Sequence, residues 1–508
     1  MYKIFKVICL MMCCVYLACT STKTTQNDLE EELSDYPNVI FIYADDMGYG
    51  EVEALNPKRS KIPTPNINRL VKEGKIFTDA HTTSSVCTPS RYALLTGRYN
   101  WRTRLQHGVV TGGGDPLIAK GRLTLPAMLR KEGYNTAIVG KWHLEYKYEV
   151  PEKLKDVSSS KITKEFLPAP YPVGTKILEG PITRGFDSYY GFHHSREMSS
   201  IVRNDEIEKE LDIIDVLPSL TEEVVDLIGQ KAGAAKKGDP FFIYFAMSSP
   251  HTPIAPSKEW QGKTDLGAYG DFVAQTDGSV GAVLNALDAN GLSKNTLVIF
   301  SSDNGTSRAA DINYLQSKGH FPSANLRGSK ADIWDGGHRV PFVVRWPGVT
   351  TPGTQSDQLI CLSDMIATFA DLTSFDLPQD VAEDSWSFLP ALKGEEIEHP
   401  RQSVVHHSIN GRFAIREGDW KLIFAPGSGG WSSPNDIAAT KQSLPQIQLY
   451  NLADGVGEEN NLYNSQKEKV QSMTKLLEKI VAEGRSTPGP AQKNDVEIDI
   501  FKTSLNVK

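Results

Sequence analysis

The sequence predicts an α/β fold with a large helix-flanked sheet, followed by a small C-terminal domain with an antiparallel sheet and a helix. Continuous apolar runs of four to six residues alternate with helical stretches over most of the chain, which is typical of strands buried on both faces. Beyond about residue 400, short runs alternate without long helices between them, which is typical of antiparallel strands. We therefore predict a large domain over residues 36–398 and a small α+β domain over 399–508.

Four apolar runs predict the central strands of the large sheet. They span 38–43, 136–139, 241–246 and 296–300, and each ends in polar residues. Helical stretches lie between them, for example at 67–74, 125–133 and 272–290. Alternating strands and helices favour an α/β sheet with helices packed on it.

The C-terminal part has its own pattern. Short runs at 413–416, 420–424 and 448–451 predict a small antiparallel sheet. Residues 467–483 carry an apolar stripe at helical spacing and predict a closing amphipathic helix. The polar, proline-containing stretch from Arg485 onward is predicted to be a loose tail.

Composition excludes several classes of protein. Of the 508 residues, 40% are hydrophobic and 23% are charged, which excludes a disordered chain, a collagen-like chain and a polytopic membrane protein. The net charge is −8, so the chain has no general attraction for phosphate backbones, and we expect no nucleic-acid partner.

The N-terminus predicts export. Two lysines precede an apolar run of 12 residues (7–18), too short to span a bilayer as a helix, and the pattern predicts a signal peptide over residues 1–19. Residues 20–35 then form a polar tether. Cys19 follows Ala18 as in a bacterial lipoprotein signal, but Tyr16 departs from that motif, so lipidation of Cys19 and plain cleavage are both open. We expect a periplasmic, cell-surface or secreted protein whose only membrane contact would be a lipid anchor.

Cysteine usage singles out one thiol. Four of the six cysteines lie in the predicted signal, which leaves Cys87 and Cys361 in the exported body. Cys361 lies in an apolar stretch and is expected to be a small buried hydrophobe rather than a disulfide partner. Cys87 is thereby left unpaired.

Polar residues follow each of the four predicted strands. Because ligands bind at the carboxyl ends of strands in α/β sheets, we expect these residues to share one site. They are Asp45, Asp46, Lys141, His143, His251, Asp303 and Asn304.

A motif around the unpaired thiol identifies the chemistry. Cys87-Thr88-Pro89-Ser90-Arg91, followed by Leu-Thr-Gly-Arg at 95–98, resembles the signature of formylglycine-dependent (type I) sulfatases. Blocks at 140–143, 250–253, 303–305, 328–330, 335–337 and 449–452 resemble the same family in order. The resemblance implies an alkaline-phosphatase-like fold with a large mixed sheet. It also implies that a maturation enzyme, either a formylglycine-generating or an anaerobic sulfatase-maturing enzyme, oxidises Cys87 to 3-oxoalanine, which hydrates to a diol.

The resemblance also implies roles for the site residues. One Ca²⁺ would be held by oxygen atoms of Asp45, Asp46, oxidised Cys87, Asp303 and Asn304, and this oxygen-rich set favours Ca²⁺ over Zn²⁺. Arg91 would hold the diol, and Lys141 and Lys330 would clamp the sulfate. His251 would protonate the departing alcohol, and His143 would deprotonate the diol so that the aldehyde reforms and releases sulfate.

The substrate is less defined. An exported sulfatase suggests a sulfated carbohydrate, and His193, His194, Arg196 and Glu197 lie where the family places leaving-group contacts. Residues 145–148 and His338 have no assigned role. A phosphonate monoester or phosphodiester hydrolase with the same oxidised cysteine, and a non-catalytic surface glycan-binding protein, are the alternative hypotheses.

Overall fold

A computed structural model describes residues 36–112, 114–150 and 171–502. The predicted signal peptide, the tether and Cys19 therefore lie outside the described residues. Within those ranges, no helix combines the length and the apolar character needed to cross a bilayer.

A ten-stranded sheet forms the centre of the described chain. In spatial order its strands are β13 (Thr354–Ser356), β2 (Lys75–Phe77), β12 (Phe342–Arg345), β11 (Thr296–Ser302), β1 (Asn38–Asp45), β10 (Phe241–Pro250), β4 (Asn135–Lys141), β7 (Ser188–Phe192), β8 (Ser200–Arg203) and β9 (Glu206–Glu210). Adjacent strands from β11 through β1, β10 and β4 to β7 run parallel. The pairs of β12 with β11, β8 with β7, and β9 with β8 are antiparallel. The sheet is mixed, which confirms the predicted fold class.

The four predicted strands are the four central ones. Every residue of β1, β10 and β11 is buried, which explains their continuous apolar runs. Side chains alternate between two cores, with Val39 and Phe41 in one and Ile40 and Ile42 in the other. The sequence analysis did not identify β7–β9, which add the edge beyond β4.

Helices cover both faces of the sheet. The first core contains residues of α2 (Cys87–Thr96), α3 (Leu125–Lys131), α8 (Met365–Thr373) and α9 (Leu389–Lys393). The second contains residues of α1 (Pro65–Glu73), α4 (Ile213–Ala235), α5 (Gly267–Ala289) and α6 (Ile312–Ser317). One-turn helix α7 (Asp335–His338) lies in the loop before β12. Two small sheets pair β3 (Ala80–His81) with β14 (Ile360–Cys361), and β5 (Lys147–Tyr148) with β6 (Ile177–Glu179).

The C-terminal domain contains the predicted antiparallel sheet and helix. Its sheet consists of β15 (Ser403–His407), β16 (Phe413–Glu417), β17 (Trp420–Ile423) and β18 (Gln448–Asn451), and its helices are α10 (Asp436–Lys441) and α11 (Lys467–Glu483). The apolar stripe of α11 packs on this sheet, in a core that also takes in Tyr99 and Trp101. The described residues form one compact unit, and the boundary near residue 398 stays a prediction.

The prediction of a loose tail after Arg485 is wrong for the described residues. Arg98 and Arg102 are buried and need hydrogen-bond acceptors. Arg98 Nη2 donates to Asp495 Oδ1 at 3.0 Å, and Arg102 Nη1 donates to Asn494 Oδ1 at 2.9 Å. Polar anchors hold this segment in place together with a few apolar contacts, since Ile500 is buried in the C-terminal core and Ile498 packs against it.

Three buried histidines, His81, His338 and His406, lie where the C-terminal sheet meets β3 and α7. The Nδ1 atoms of His81 and His338 are 3.0 Å apart and share one hydrogen. His81 Nε2 lies 2.9 Å from Asp79 Oδ1, and Lys421 Nζ lies 3.1 Å from His338 Nε2. Neutral imidazole rings satisfy these three contacts when Lys421 Nζ donates to His338 Nε2, His338 Nδ1 donates to His81 Nδ1, and His81 Nε2 donates to Asp79 Oδ1. His338 Nε2 also lies 3.2 Å from the Ile333 carbonyl oxygen. The ring of His406 stacks on that of His338, with centroids 3.7 Å apart.

This cluster predicts acid-sensitive stability. Burial lowers the pKa of all three histidines, although Asp79 and Asp335 face them, and Lys421 and Arg416 add repulsion. The unfolded chain, with histidine pKa values of about 6.5, then binds more protons than the folded chain below that pH. Stability should fall as the pH drops below about 6.5, by up to about 1.4 kcal/mol per pH unit for each histidine.

Thermal unfolding from pH 8 to pH 5 measures this effect. His406→Asn keeps a side-chain donor for the Thr82 carbonyl, which His406 Nδ1 contacts at 3.1 Å, and removes one titrating ring. This variant should lose less stability between pH 6.5 and 5 than the wild type. The exposed His399 provides the control, because His399→Asn should leave the pH profile unchanged. Parallel profiles for His406→Asn and the wild type would contradict the prediction.

Candidate active site

The carboxyl ends of β1 and β11 bring four oxygen-bearing side chains together. β1 lies between β11 and β10, so Asp45 and Asp46 are adjacent to Asp303 and Asn304. The Asp46 backbone N–H donates to Asp303 Oδ1 at 3.0 Å, and Asn304 Nδ2 donates to Asp46 Oδ1 at 2.8 Å. Asp46 adopts a φ of 69°, which turns the chain out of the strand at this point. All four side chains are buried.

Cys87 is the first residue of α2 and points into this group. Its Sγ lies 4.0 Å from Asp46 Oδ1 and 3.5 Å from Lys330 Nζ. Pro89 is compatible with the first turn of a helix because the backbone N–H groups there have no intrahelical acceptor. Burial raises the pKa of the Cys87 thiol to about 12 despite the nearby lysines. The thiol is therefore protonated near neutral pH and is a poor nucleophile as it stands.

Three buried cations neutralise the three carboxylates. Arg91 donates to Asp303 Oδ2 at 3.1 and 2.7 Å, Lys141 Nζ donates to the two Asp45 oxygens at 2.9 and 2.7 Å, and Lys330 Nζ donates to Asp46 Oδ1. Burial opposes the ionisation of Asp45, but the Lys141 charge holds the pKa of that carboxyl below its usual range. The site thus contains matched buried charges held in fixed positions.

The oxygen atoms fit a hard divalent cation. Asp46 Oδ2 and Asn304 Oδ1 are buried and have no hydrogen-bond partner within the described ranges, although such atoms are normally satisfied. Ligand atoms of Asp45, Asp46, Cys87 and His251 lie within 4.8 Å of one another. Carboxylate and amide oxygens are the ligands that Ca²⁺ prefers. An oxygen atom in place of the Cys87 sulfur would make the donor set more uniform.

His143 follows β4, and its ring is held neutral. Gly140 makes this strand end possible, because it has a φ of 113° and a Cβ there would lie 1.8 Å from the Ala246 carbonyl oxygen. His143 Nε2 donates to the Val110 carbonyl at 3.0 Å, so Nδ1 carries the lone pair, and this buried Nδ1 has no partner among the described residues. Burial and the Lys141 charge lower the pKa of His143 well below its usual value.

His251 follows β10 and is held through its other nitrogen. Its Nδ1 contacts the Thr252 carbonyl and lies 2.9 Å from Ser195 Oγ, whereas its Nε2 lies 3.6 Å from Asp46 Oδ2. A carbonyl only accepts hydrogen bonds, so Nδ1 carries a hydrogen. Ser195 comes from a different segment and completes this contact.

The four predicted substrate residues do not share one environment. His193, His194 and Glu197 are buried beside His143, whereas Arg196 is exposed. His193 Nε2 accepts a hydrogen bond from the Glu145 backbone N–H at 3.1 Å, so this nitrogen atom is already used by a contact within the protein.

Two acids belong to this group of histidines. Burial raises the pKa of Glu197 to about 7, and Tyr148 OH donates to Glu197 at 3.2 Å. Burial also raises the pKa of Glu145, whose Oε1 accepts from the Gly112 N–H at 3.1 Å. Sequence reasoning assigned no role to residues 145–148 and did not identify Ser195 or the Val110 carbonyl. No motif marks these groups, because tertiary contacts alone bring them to the site.

The remaining expectations concern His338 and the second cysteine. His338 lies in the buried histidine cluster and not at this site. Cys361 is buried and free, as expected, and Cys87 is also free.

Comparisons with known proteins agree with this geometry. The Sulfatase family profile matches residues 37–375, and a profile described as N-sulphoglucosamine sulphohydrolase, C-terminal, matches 329–432. An N-acetylgalactosamine-6-O-sulfatase of Bacteroides thetaiotaomicron is 31% identical, over 88% of this chain and 93% of that protein. Human arylsulfatase A is 31% identical, over 90% of each chain.

Solved structures show the same architecture. A structure from work on glycosaminoglycan metabolism by Bacteroides thetaiotaomicron has a TM-score of 0.75 and 27% identity, and covers 88% of this chain and 99% of that one. Ps i-CgsB in complex with k-i-k-neocarrahexaose has a TM-score of 0.67 and 25% identity, over 93% and 96% of the two chains. A phosphonate monoester hydrolase of Agrobacterium radiobacter, with a TM-score of 0.58, 18% identity and coverage of 88% and 96%, shares the fold.

Proposed function

This chain belongs to the sulfatase family and is a sulfuric ester hydrolase, and we propose that it acts on sulfated glycans through an oxidised Cys87 and one bound Ca²⁺. The observation that carries this proposal is the position of Cys87 at the start of α2, beside Asp46 and Lys330. An unmodified thiol with a pKa of about 12 would be a weak nucleophile and a poor ligand for a hard cation. Oxidation to 3-oxoalanine by a maturation enzyme, followed by hydration to a diol, would replace the sulfur atom with oxygen atoms that can attack the sulfate ester and bind the cation.

The lysines provide the sulfate site. Lys141 and Lys330 approach the carboxylate cluster through β4 and the loop before α7, respectively, and both are buried. When bound, the Ca²⁺ and the oxidised residue would supply charge stabilisation and an oxygen nucleophile, with Asp45, Asp46, Asp303 and Asn304 as the other ligands. The ammonium groups would then be available for the sulfate oxygens, since each donates up to three hydrogen bonds.

The two histidines divide the proton transfers. The Thr252 carbonyl fixes one hydrogen on Nδ1 of His251, so Nε2 can deliver a proton to the departing alcohol only when the ring is doubly protonated. Burial lowers the pKa of His251 and opposes this second proton, whereas the Asp46 carboxylate favours it. His143 is held neutral with its lone pair on Nδ1, which suits a base. Because the environments keep different nitrogen atoms available, the same residue type can serve opposite roles.

The substrate is proposed to be a sulfated polysaccharide or its oligosaccharides. The names of relatives support a 6-O-sulfated N-acetylgalactosamine as the first substrate to test. The buried His193, His194 and Glu197 group lies beside His143, and Nδ1 of His193 has no hydrogen-bond partner among the described residues, so this atom could contact a sugar. We also propose export through the N-terminal signal and membrane attachment only if Cys19 is lipidated.

Replacement of Cys87 tests the nucleophile. Cys87→Ala should lower sulfate release from N-acetylgalactosamine-6-sulfate by about 10³-fold or more, since one group provides the covalent step, while the unfolding temperature stays close to that of the wild type. Cys361→Ala is the matched control and should retain activity. Mass spectrometry of the active protein should find an aldehyde at Cys87. An intact thiol in fully active protein would refute the proposal, and turnover of phosphonate or phosphodiester substrates in preference to sulfate esters would favour the alternative hydrolase.

Replacement of Asn304 tests the metal. Asn304→Ala removes the unpartnered Oδ1 and the hydrogen bond to Asp46. We expect the Kd for Ca²⁺, measured by titration calorimetry on metal-free protein, to rise by about tenfold or more, because Ca²⁺ affinity depends on the number of oxygen ligands. Asn464→Ala, on the surface of the C-terminal domain, should bind Ca²⁺ as the wild type does. Equal affinity in both variants would remove Asn304 from the proposed ligand set.

Replacement of Ser195 tests how His251 is positioned. A general acid matters most for a poor leaving group, so Ser195→Ala should reduce kcat on a sugar sulfate by about tenfold and change kcat on 4-nitrophenyl sulfate much less. His251→Ala should show the same selectivity with a larger loss. Ser465→Ala serves as a surface control. If Ser195→Ala slows both substrates equally, its effect is structural rather than one of positioning the acid.

A further inference from the structure

A large cleft is lined in part by the loop that carries Lys330. This cleft, with a volume of about 1390 Å³, opens between the loops that follow β11 and the C-terminal domain. This volume exceeds the roughly 300–1,000 Å³ typical of small-molecule sites. Three arginines and four aromatic residues line it: Arg59, Arg308, Phe321, Arg327, Trp334, Trp431 and Tyr450.

Each arginine is stacked on one of the aromatic rings. The guanidinium carbons of Arg59, Arg308 and Arg327 lie 3.6, 4.6 and 3.7 Å from the ring centroids of Phe321, Trp431 and Trp334, respectively. Stacking orients the guanidinium plane and leaves its N–H groups available at the edge. Such a pre-oriented fork is suited to the oxygens of a sulfate or a carboxylate.

Arg308 has the most available donor groups. It is exposed, and its guanidinium makes no ion pair or hydrogen bond across residues 36–112, 114–150 and 171–502. By contrast, Arg327 Nη1 donates to Tyr450 OH at 3.2 Å and to the Glu458 carbonyl at 2.7 Å. Arg308 is therefore the arginine with which an incoming anion can pair at the smallest cost to the fold.

The rest of the lining suits a carbohydrate rather than a simple polyanion. Side-chain amides contribute both donors and acceptors, from Asn313, Gln316, Asn325, Asn451 and Asn460. Acidic residues are also present, and two of them have partners: Asp311 caps α6 by accepting from the Tyr314 N–H at 3.2 Å, and Glu458 pairs with Lys421 at 2.8 Å. A ligand with hydroxyl groups, ring faces and scattered negative charges would match this mixture.

The cleft adjoins the active site along the chain. Ser329 lines the cleft, and the next residue, Lys330, contacts Cys87 and Asp46. Arg308 follows closely after Asp303 and Asn304 in the loop beyond β11. The wall of the cleft and the proposed sulfate-binding lysine therefore belong to the same loop.

We propose that this cleft binds neighbouring sugar units of a sulfated oligosaccharide while another unit is desulfated. Arg308 and Trp431 would provide its main contacts, through a charge-assisted hydrogen bond to a sulfate and through the indole ring, respectively. The inference rests on the proposed function for its choice of ligand. It predicts that affinity increases with oligosaccharide length and that the increase depends on the cleft.

Binding to a non-turnover protein tests the inference. In a Cys87→Ala background, adding Arg308→Ala should raise the Kd for a chondroitin 6-sulfate hexasaccharide by about tenfold, and leave the Kd for N-acetylgalactosamine-6-sulfate within twofold. Trp431→Ala should likewise raise the Kd for the hexasaccharide and leave the Kd for the monosaccharide within twofold. Lys475→Ala removes an exposed cation of the C-terminal domain and should change neither affinity. Equal hexasaccharide affinity in the Arg308→Ala, Trp431→Ala and Lys475→Ala proteins would overturn the inference.

Sulfate release by the otherwise wild-type protein separates this test from the proposed function. Loss of hexasaccharide affinity on Arg308→Ala supports the cleft even if the wild type releases no sulfate from that compound. Absence of release from every sulfated sugar would instead count against the proposed activity. An unsulfated hexasaccharide should bind more weakly than the sulfated one and should respond less to Arg308→Ala, because the charged contact would be missing.

Discussion

The active site depends on the burial of three carboxylates at one edge of the sheet. Isolated ionised groups in such a place would be costly, so Asp45, Asp46 and Asp303 require buried positive partners with good geometry. Arg91, Lys141 and Lys330 meet this need from three separate segments. This matching fixes α2, the end of β4 and the loop before α7 around a common point, and Cys87 is placed beside them.

The parallel centre of the sheet makes this charge cluster possible. β11, β1, β10 and β4 run in the same direction, so their polar ends meet while their apolar bodies fill two cores. The strands contribute rigid positions, and the loops beyond them contribute the chemistry. Backbone carbonyls then set the protonated nitrogen of each histidine, since Val110 accepts from His143 and Thr252 accepts from His251.

The C-terminal domain supports the catalytic domain through buried polar contacts as well as apolar packing. Lys421 on β17 pairs with Asp335 at 2.6 Å, in the short helix that follows the Lys330 loop. The histidine cluster continues this contact to β3 through His338 and His81. Deletion of the small domain would leave several buried charges without partners, which explains why the two parts form one compact unit.

The sequence by itself determined the central strands, the closing helix and the residues that surround Cys87. Apolar runs report burial on both faces directly, and the cysteine motif and the polar strand ends lie within short stretches of chain. Only the tertiary structure decided which additional groups complete the site. Ser195, the Val110 carbonyl and the arginine–aromatic cleft leave no local pattern, since their partners are distant in sequence. The docking of residues 485–502 was decided in the same way, because buried Arg98 and Arg102 take polar acceptors from it and Ile500 enters the C-terminal core, and none of these contacts follows a periodic pattern.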